Sequence, residues 1–237
     1  MGKWISQNVL RKLTVNAPVT LGFCILCLLV HILTLGGYAD FVTRLLAVHD
    51  DWNGLSIPQY TSFWTHCFAH SSFAHLRGNL TMLLLLGPGV EYHFRSKNVM
   101  LIMAFVSMVS ALVHIIVGKR NIHQLGASGI VFCFILLNSL VSAKHGQIPV
   151  SFVLTVLLYM GDELIQFMAS FMSFSNNDPV SHHAHIAGGL VGAAAGFYIH
   201  GNLPKRRRVR KVKETKKTKS NNNPVSNLLG IRKNKEN

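Results

Sequence analysis

The stretch AHIAGGLVGAAAG at residues 184–196 decides the fold. Gly188, Gly192 and Gly196 recur every four residues, and in a helix they share one face with His185. Small residues at that spacing let a second helix approach to backbone contact, which is how helices pack where lipid replaces water. A histidine at the head of such a face is held against its neighbour and well placed to meet a side chain there.

Working outward from this segment, the chain has 237 residues, of which 49% are hydrophobic and only 14% charged. That balance belongs to a membrane protein. An apolar stretch of about 17 to 25 residues crosses a ~30 Å hydrocarbon core as a helix. Reading with that window gives six candidate spans, over 18–37, 73–92, 99–118, 128–143, 148–171 and 185–200. The expected fold class is all-α, a polytopic membrane protein built as a six-transmembrane-helix bundle. Its expected divisions are a cytoplasmic N-terminal segment over 1–17, a six-span domain over 18–203, and a basic cytoplasmic tail over 204–237 whose composition cannot bury enough apolar surface to fold alone.

The formal charge of +14 looks like a nucleic-acid signature until it is located, because 13 of the 23 Lys and Arg lie beyond Pro204. Over 1–203 the count is 10 basic against 7 acidic residues. Positive residues mark the cytoplasmic side. Here they cluster at Lys3, Arg11 and Lys12, at Arg95 and Lys97, at Lys144, and from Lys205 to Lys219. Six spans put all four clusters on one side, with both termini cytoplasmic; the plasma membrane is the expected location. The opposite side carries Arg44, Lys119 and Arg120 beside Asp40, Asp50, Asp51 and Asp178. The segment from Tyr38 to Ser72, rich in Trp52, Tyr60, Phe63 and Trp64, is expected to lie in the outer interface, where amphipathic rings are favoured. The tail is expected to hold anionic lipid at roughly 1 kcal/mol per charge near the surface, and no nucleic-acid partner is expected. Cys24, Cys27, Cys67 and Cys133 read as buried small hydrophobes.

Polar groups at membrane depth need a cavity or a partner. Asn79 to Arg95 is 16 residues, Ser128 to Lys144 is 16, and His185 to His200 is 15, which is about 22 to 24 Å of helix in each case. With Arg95, Lys144 and His200 at the inner boundary, Asn79, Ser128 and His185 stand level, roughly 6 to 8 Å below the outer edge of the core. Ser128 sits among the small residues Gly126, Ala127 and Gly129, at a helix start where unpaired backbone N–H groups face any nearby anion. A serine hydroxyl becomes a nucleophile when a base takes its proton, and imidazole is the usual base near neutral pH. Asn79 and His75, one turn apart, offer two side-chain donors for the resulting oxyanion. No carboxylate stands where its sequence position would orient His185. Phe132, one turn after Ser128, offers a ring for the imidazole to pack on.

The elements His66-x-x-x-His70-x-x-x-x-His75-x-x-x-Asn79, Gly87-x-x-x-Glu91, Gly126-Ala127-Ser128-Gly129 and Ala184-His185-x-x-Gly188 resemble the rhomboid family of intramembrane serine proteases in order and spacing. The resemblance covers about 130 residues and extends to a six-span, rhomboid-like bundle. It implies an endopeptidase that cuts single-span transmembrane substrates near the outer membrane face without a cofactor. Ser128 would be the nucleophile, and His185 the general base and acid. Asn79 and His75 would complete the oxyanion hole with the Ser128 amide. It also implies that span 5, with Gly161, Asp162 and Glu163, borders the substrate's entry route. The chain departs from the family's pattern at Arg77 and Gly78, where bulky apolar residues are usual, and at Thr61 and Ser62, roughly where a Trp-Arg pair is frequent. Arg77, about 200° round the helix from Asn79, is expected to face away from the site.

Other readings attach to the same residues. Gly-Ala-Ser-Gly by itself is a close-packed helix start; its pairing with the span 6 motif gives it chemistry. The histidines at 66, 70, 75, 182, 183 and 185 would be ligands in a metal-dependent transporter or oxidase. No acidic or cysteine partner accompanies them at matching depth in the sequence, so no metal site is expected, and His66, His70, His182 and His183 are assigned to the outer rim. Glu91 is expected to pair with a basic residue at the inner face, and Asp162 and Glu163 to form a wet wall. The second functional hypothesis is a rhomboid-like pseudoprotease that binds transmembrane helices without cutting them.

Overall fold

The structure, a computed structural model, describes residues 14–49, 57–117, 123–140, 147–172 and 182–202. All regular structure among them is helical, and β-type pairing is limited to one isolated bridge between Val48 and Gln124. The Lys3, Arg11 and Lys12 cluster, Asp50, Asp51, Trp52, Lys119, Arg120, Lys144, Asp178 and the basic tail lie outside the described residues.

The helices are α1 (Pro18–Leu33), α2 (Ala39–Leu46), α3 (Ile57–Thr65), α4 (Phe73–Phe94), α5 (Ser96–Val117), α6 (Ser128–Leu140), α7 (Val150–Thr155), α8 (Gly161–Met172) and α9 (His182–Asn202). Each expected span has a helical counterpart, with two internal differences. The first runs on past Leu33 through a wide π turn, Thr34–Tyr38, in which Gly37 takes φ +92° and redirects the chain into α2. The fifth is broken by a second π turn, Val156–Met160, between α7 and α8. By length and hydropathy, two runs among the described residues are long and apolar enough to cross a membrane, Pro18–Leu46 and Ser96–Val117, while Ser128–Leu140 is apolar but shorter.

The distribution of side chains departs from that of a soluble domain, in which large apolar groups leave the surface and polar groups leave the core. Leu29, Leu33, Leu85, Leu101, Ile116, Leu157, Leu158, Ile165 and Leu190 are exposed, while Thr20, His31, Asn79, Glu91, Ser107, Ser110, His114, Glu163, His182 and His185 are buried. Water would penalise the first set and lipid the second, so the surface suits a hydrocarbon solvent. Nine of the thirteen residues of α6 are buried, Phe134 and Leu137 completely. This short helix is therefore the axis of the bundle.

Helix α9 lies along α6 through its glycine face. A Cβ at Gly188 would run into the Gly129 carbonyl, one at Gly192 would reach Cys133 Cα at 2.8 Å, and one at Gly196 would reach Leu140 Cδ1 at 2.6 Å. Glycine is thus required at Gly188 and Gly192 by contact with the α6 backbone, whereas at Gly196 the neighbour is a movable side-chain tip; helix propensity gives no reason for it, since glycine lowers that by about 1 kcal/mol per residue.

Among the described residues Glu91 pairs with no basic side chain, contrary to the expectation. Its carboxylate accepts from Val19 N–H, Thr20 N–H and Thr20 Oγ–H, each at 3.0 Å, and caps the N-terminus of α1. Ala17, the residue at that cap, has no side-chain acceptor, so the first-turn amides take a buried carboxylate from α4. The four cysteines are buried and unpaired. Arg77 is exposed.

Candidate active site

Two loops meet above the N-terminus of α6. Val48 and Gln124 exchange both backbone hydrogen bonds, at 3.1 and 3.0 Å, and Gly126 N–H donates to the His66 carbonyl at 3.0 Å. His66 and His70, assigned to the outer rim from sequence, are instead buried at 2% and 4% exposure. His66 Nδ1 lies 2.8 Å from the Ser62 carbonyl and must carry the proton there, which leaves Nε2 to accept from the Gln124 amide nitrogen at 3.2 Å. His70 repeats the pattern: Nδ1 donates to the Phe68 carbonyl at 3.3 Å and Nε2 accepts from Ala127 N–H at 3.4 Å. Both contacts require neutral imidazole, and burial pushes each down to about 4. Two neutral histidines therefore clamp the strand that delivers Ser128.

Gly126 in this strand has φ +111°, and a Cβ there would sit 2.6 Å from His75 Cε1, 2.9 Å from His75 Nε2 and 3.7 Å from Asn79 Nδ2. The two residues read as oxyanion donors thus border the backbone immediately before Ser128. His75 opens α4, where its N–H is capped by Ser72 Oγ at 3.2 Å, and its Nδ1 meets Ser71 Oγ at 3.3 Å, so Nε2 is the nitrogen turned to Gly126. Asn79 is 7% exposed and its Nδ2 has no hydrogen-bond partner among the described residues. A buried donor left unmade costs roughly 1–3 kcal/mol and calls for a reason.

Ser128 is half-buried at the first turn of α6. His185, on α9, is brought to the same end of α6 because Gly129 abuts Gly188 and Ala184: a Cβ on Gly129 would lie 3.2 Å from the Ala184 carbonyl. The imidazole stacks on Phe132, with centroids 4.5 Å apart and planes 9° from parallel. Phe132 is one turn beyond Ser128 on the same helix face, so the ring of His185 lies over the turn that presents the hydroxyl.

One residue of the site was not foreseen from the sequence. Glu163, expected in a wet wall with Asp162, is buried at 8% exposure, with Oε2 2.7 Å from His182 Nδ1 and 3.0 Å from His185 Nδ1. The first contact is a well-formed hydrogen bond. The second is close but off the N–H direction, so His185 Nδ1 has no properly aligned acceptor. Asp162 stays exposed and accepts from Gln166 Nε2 at 2.7 Å. The π turn before α8 supplies the rotation: Tyr159 meets Phe132 edge-on at 6.3 Å, and Glu163, four residues on, faces His185. The signal was available, since an ionisable residue at membrane depth needs a partner and the histidines of span 6 were the candidates. His182 is likewise buried rather than at the rim, while His183 is half-buried with its Nε2 3.0 Å from the buried His114 Nδ1.

Glu163, His182 and His185 each turn one ligand atom to a common point, all within 4.8 Å of one another. This is the acidic partner absent from the sequence reading, and the set could hold a metal. Its 2.7 Å contact is hydrogen-bond length, shorter than the roughly 3.3 Å between two ligands of a tetrahedral zinc.

Polar residues turned inward, an apolar exterior and a serine and a histidine on two abutting helices define a polytopic helical membrane protein with a polar internal site. The sequence profile of the rhomboid domain matches residues 58–202, and the chain belongs to the rhomboid family. It is therefore an integral membrane protein. It is similar to rhomboid-like protein 11, chloroplastic, of Arabidopsis thaliana, 26% identical over 169 residues that cover 68% of this chain and 60% of that protein. It is also similar to rhomboid-related protein 2 of Mus musculus, 27% identical over 144 residues covering 58% of this chain and 47% of that protein. The chain thus spans about half to three fifths of the length of these curated relatives.

Proposed function

We propose that the chain is an intramembrane serine endopeptidase of six spans that cuts single-span transmembrane substrates near the outer membrane face. The observation that carries this reading is the seating of His185 flat on Phe132, one turn from Ser128, by backbone contact between α6 and α9. In this mechanism the Ser128 oxygen bonds to the substrate carbonyl carbon as its proton passes to His185. The carbonyl electron pair moves onto oxygen, where Asn79, His75 and the Ser128 amide stabilise it. Collapse breaks the C–N bond, the leaving amine takes the proton from His185, and water releases the acyl group by the same steps.

The helix to be cut must be unwound, because its carbonyls are hidden in its own hydrogen bonds and freeing them in hydrocarbon costs several kcal/mol. Substrates accordingly carry a small residue at the cut and a Gly, Pro or polar residue just inside the membrane. Both termini face the cytoplasm of a plasma-membrane protein, and the tail over 204–237 binds anionic lipid without taking part in the chemistry.

A fluorophosphonate on the purified chain tests this reading. Ser128 is expected to become labelled, and Ser128→Ala and His185→Ala each to abolish labelling and cleavage of a model transmembrane substrate in a folded protein. The double mutant should be little worse than either single one, since the two act as a unit. A wild-type chain that retains transmembrane helices yet neither labels nor cleaves is a pseudoprotease. Cleavage that survives Ser128→Ala and stops with a chelator is metal-dependent, and either result overturns the proposal.

A further inference from the structure

We propose that Glu163 is a positioning residue for His185, so that the site works through a serine, a histidine and a carboxylate rather than through a serine and histidine alone; this rests on the protease reading above. Imidazole acts as a base only through the nitrogen that lacks a proton, and an acceptor facing the other nitrogen favours the tautomer that leaves the reacting nitrogen bare. Stacking on Phe132 fixes the plane of the His185 ring but says nothing of its tautomer, because a ring face does not distinguish the two nitrogens. Glu163 Oε2, 3.0 Å from Nδ1, is the acceptor that can do so. With the proton on Nδ1, Nε2 is bare and able to receive the Ser128 proton. The same carboxylate then faces the positive charge that His185 gains during the reaction.

The placement is built rather than incidental. Glu163 is buried, it sits one turn beyond Tyr159, which touches Phe132, and the π turn that rotates it inward packs against α9, where a Cβ at Gly189 would strike Met160 Sδ. His182 holds the same oxygen at 2.7 Å. This second imidazole anchors the carboxylate, and the off-line approach of His185 leaves room for that contact to straighten as the site closes on substrate, as catalytic hydrogen bonds commonly do.

Two measurements on the full-length chain test the inference. In the first, Ser128→Ala protein labelled with 15N-histidine reports the tautomer of His185 without any need for activity. The Nδ1–H form is expected, with its signal identified by loss in the His185→Ala variant, and the Nε2–H form overturns the proposal. In the second, Glu163→Gln should lower kcat by roughly 10- to 10³-fold with KM within about twofold, below the ~10⁴-fold seen when a well-aligned triad carboxylate is replaced. Glu163→Asp should recover at least part of that loss because it keeps the charge, and His182→Phe should cost less than Glu163→Gln. A Glu163→Gln enzyme with wild-type kcat overturns the proposal. So does a loss that His182→Phe reproduces in full and Glu163→Asp does not relieve, since Glu163 would then only tie α8 to α9. Should Glu163→Gln fail to fold, the tautomer measurement decides. A wild-type chain that neither labels nor cleaves overturns the protease reading, and this inference with it.

Discussion

Gly188→Ala is the sharpest probe of how helix packing sets the chemistry. The added Cβ would lie 2.7 Å from the Gly129 carbonyl carbon and 2.9 Å from its Cα, with the carbonyl oxygen closer still. Carbon atoms rest at about 3.5 Å, so α9 must back away from α6 by at least about 0.8 Å at this point to clear the carbonyl carbon, and by more to clear the oxygen. Backbone cannot rotate aside as a side-chain tip can, and His185, less than one turn earlier on the same helix, must move with it. A misplacement of about 1 Å commonly costs 10²-fold in rate, while overpacking costs about 1–3 kcal/mol of stability. Cleavage of a reconstituted transmembrane substrate should therefore fall by about 10²-fold in kcat/KM, with a protein still folded by thermal melting. The control is Gly78→Ala, where nothing lies within 4 Å of the added Cβ; it should keep full activity and gain about 0.5–1 kcal/mol from helix propensity. Gly188→Ala protein that melts normally and cuts within threefold of wild type would refute the dependence of the site on the α6–α9 contact.

Asn79→Ala should lose about 10²- to 10³-fold in kcat with KM unchanged, and still react slowly with a fluorophosphonate. Because Asn79 Nδ2 makes no hydrogen bond among the described residues, its removal should not lower the melting temperature; a folding defect, or an effect on KM alone, would contradict the oxyanion role. His66 and His70 predict a stability profile in acid. Their folded pKa values, about 4, lie below the ordinary 6.5, so the unfolded chain binds more protons between those limits. Stability should therefore fall as pH drops from about 6.5 to 4, by a cost on the order of 2 kcal/mol per histidine. Melts across that range check this, and a His66→Gln variant should flatten the slope. Glu91→Leu should leave three donors at the start of α1 unpaired and cost about 3–5 kcal/mol; a melting temperature equal to wild type would refute the capping role.

The sequence by itself determined where the helices lie and that they are packed for lipid. Hydrophobic length and the spacing of glycines are local properties, and the ends of Phe73–Phe94, Ser96–Val117 and His182–Asn202 differ from those of the expected spans at 73–92, 99–118 and 185–200 by at most three residues. Spacing within one helix also foresaw the contact of Phe132 with His185, because residues four apart share a face. Both π turns escaped notice, since a widened turn leaves composition unchanged.

What only the tertiary structure decided is the set of partners for buried polar groups. Glu91 found amides of α1 71 residues away in place of a basic side chain among the described residues, His66 and His70 turned inward to hold the segment before Ser128, and Glu163 came to His182 and His185. Each case has the same cause: a polar group excluded from water must take whichever complementary group the packing brings within hydrogen-bond reach, and that choice depends on helix rotation and crossing, which no local pattern of residues records.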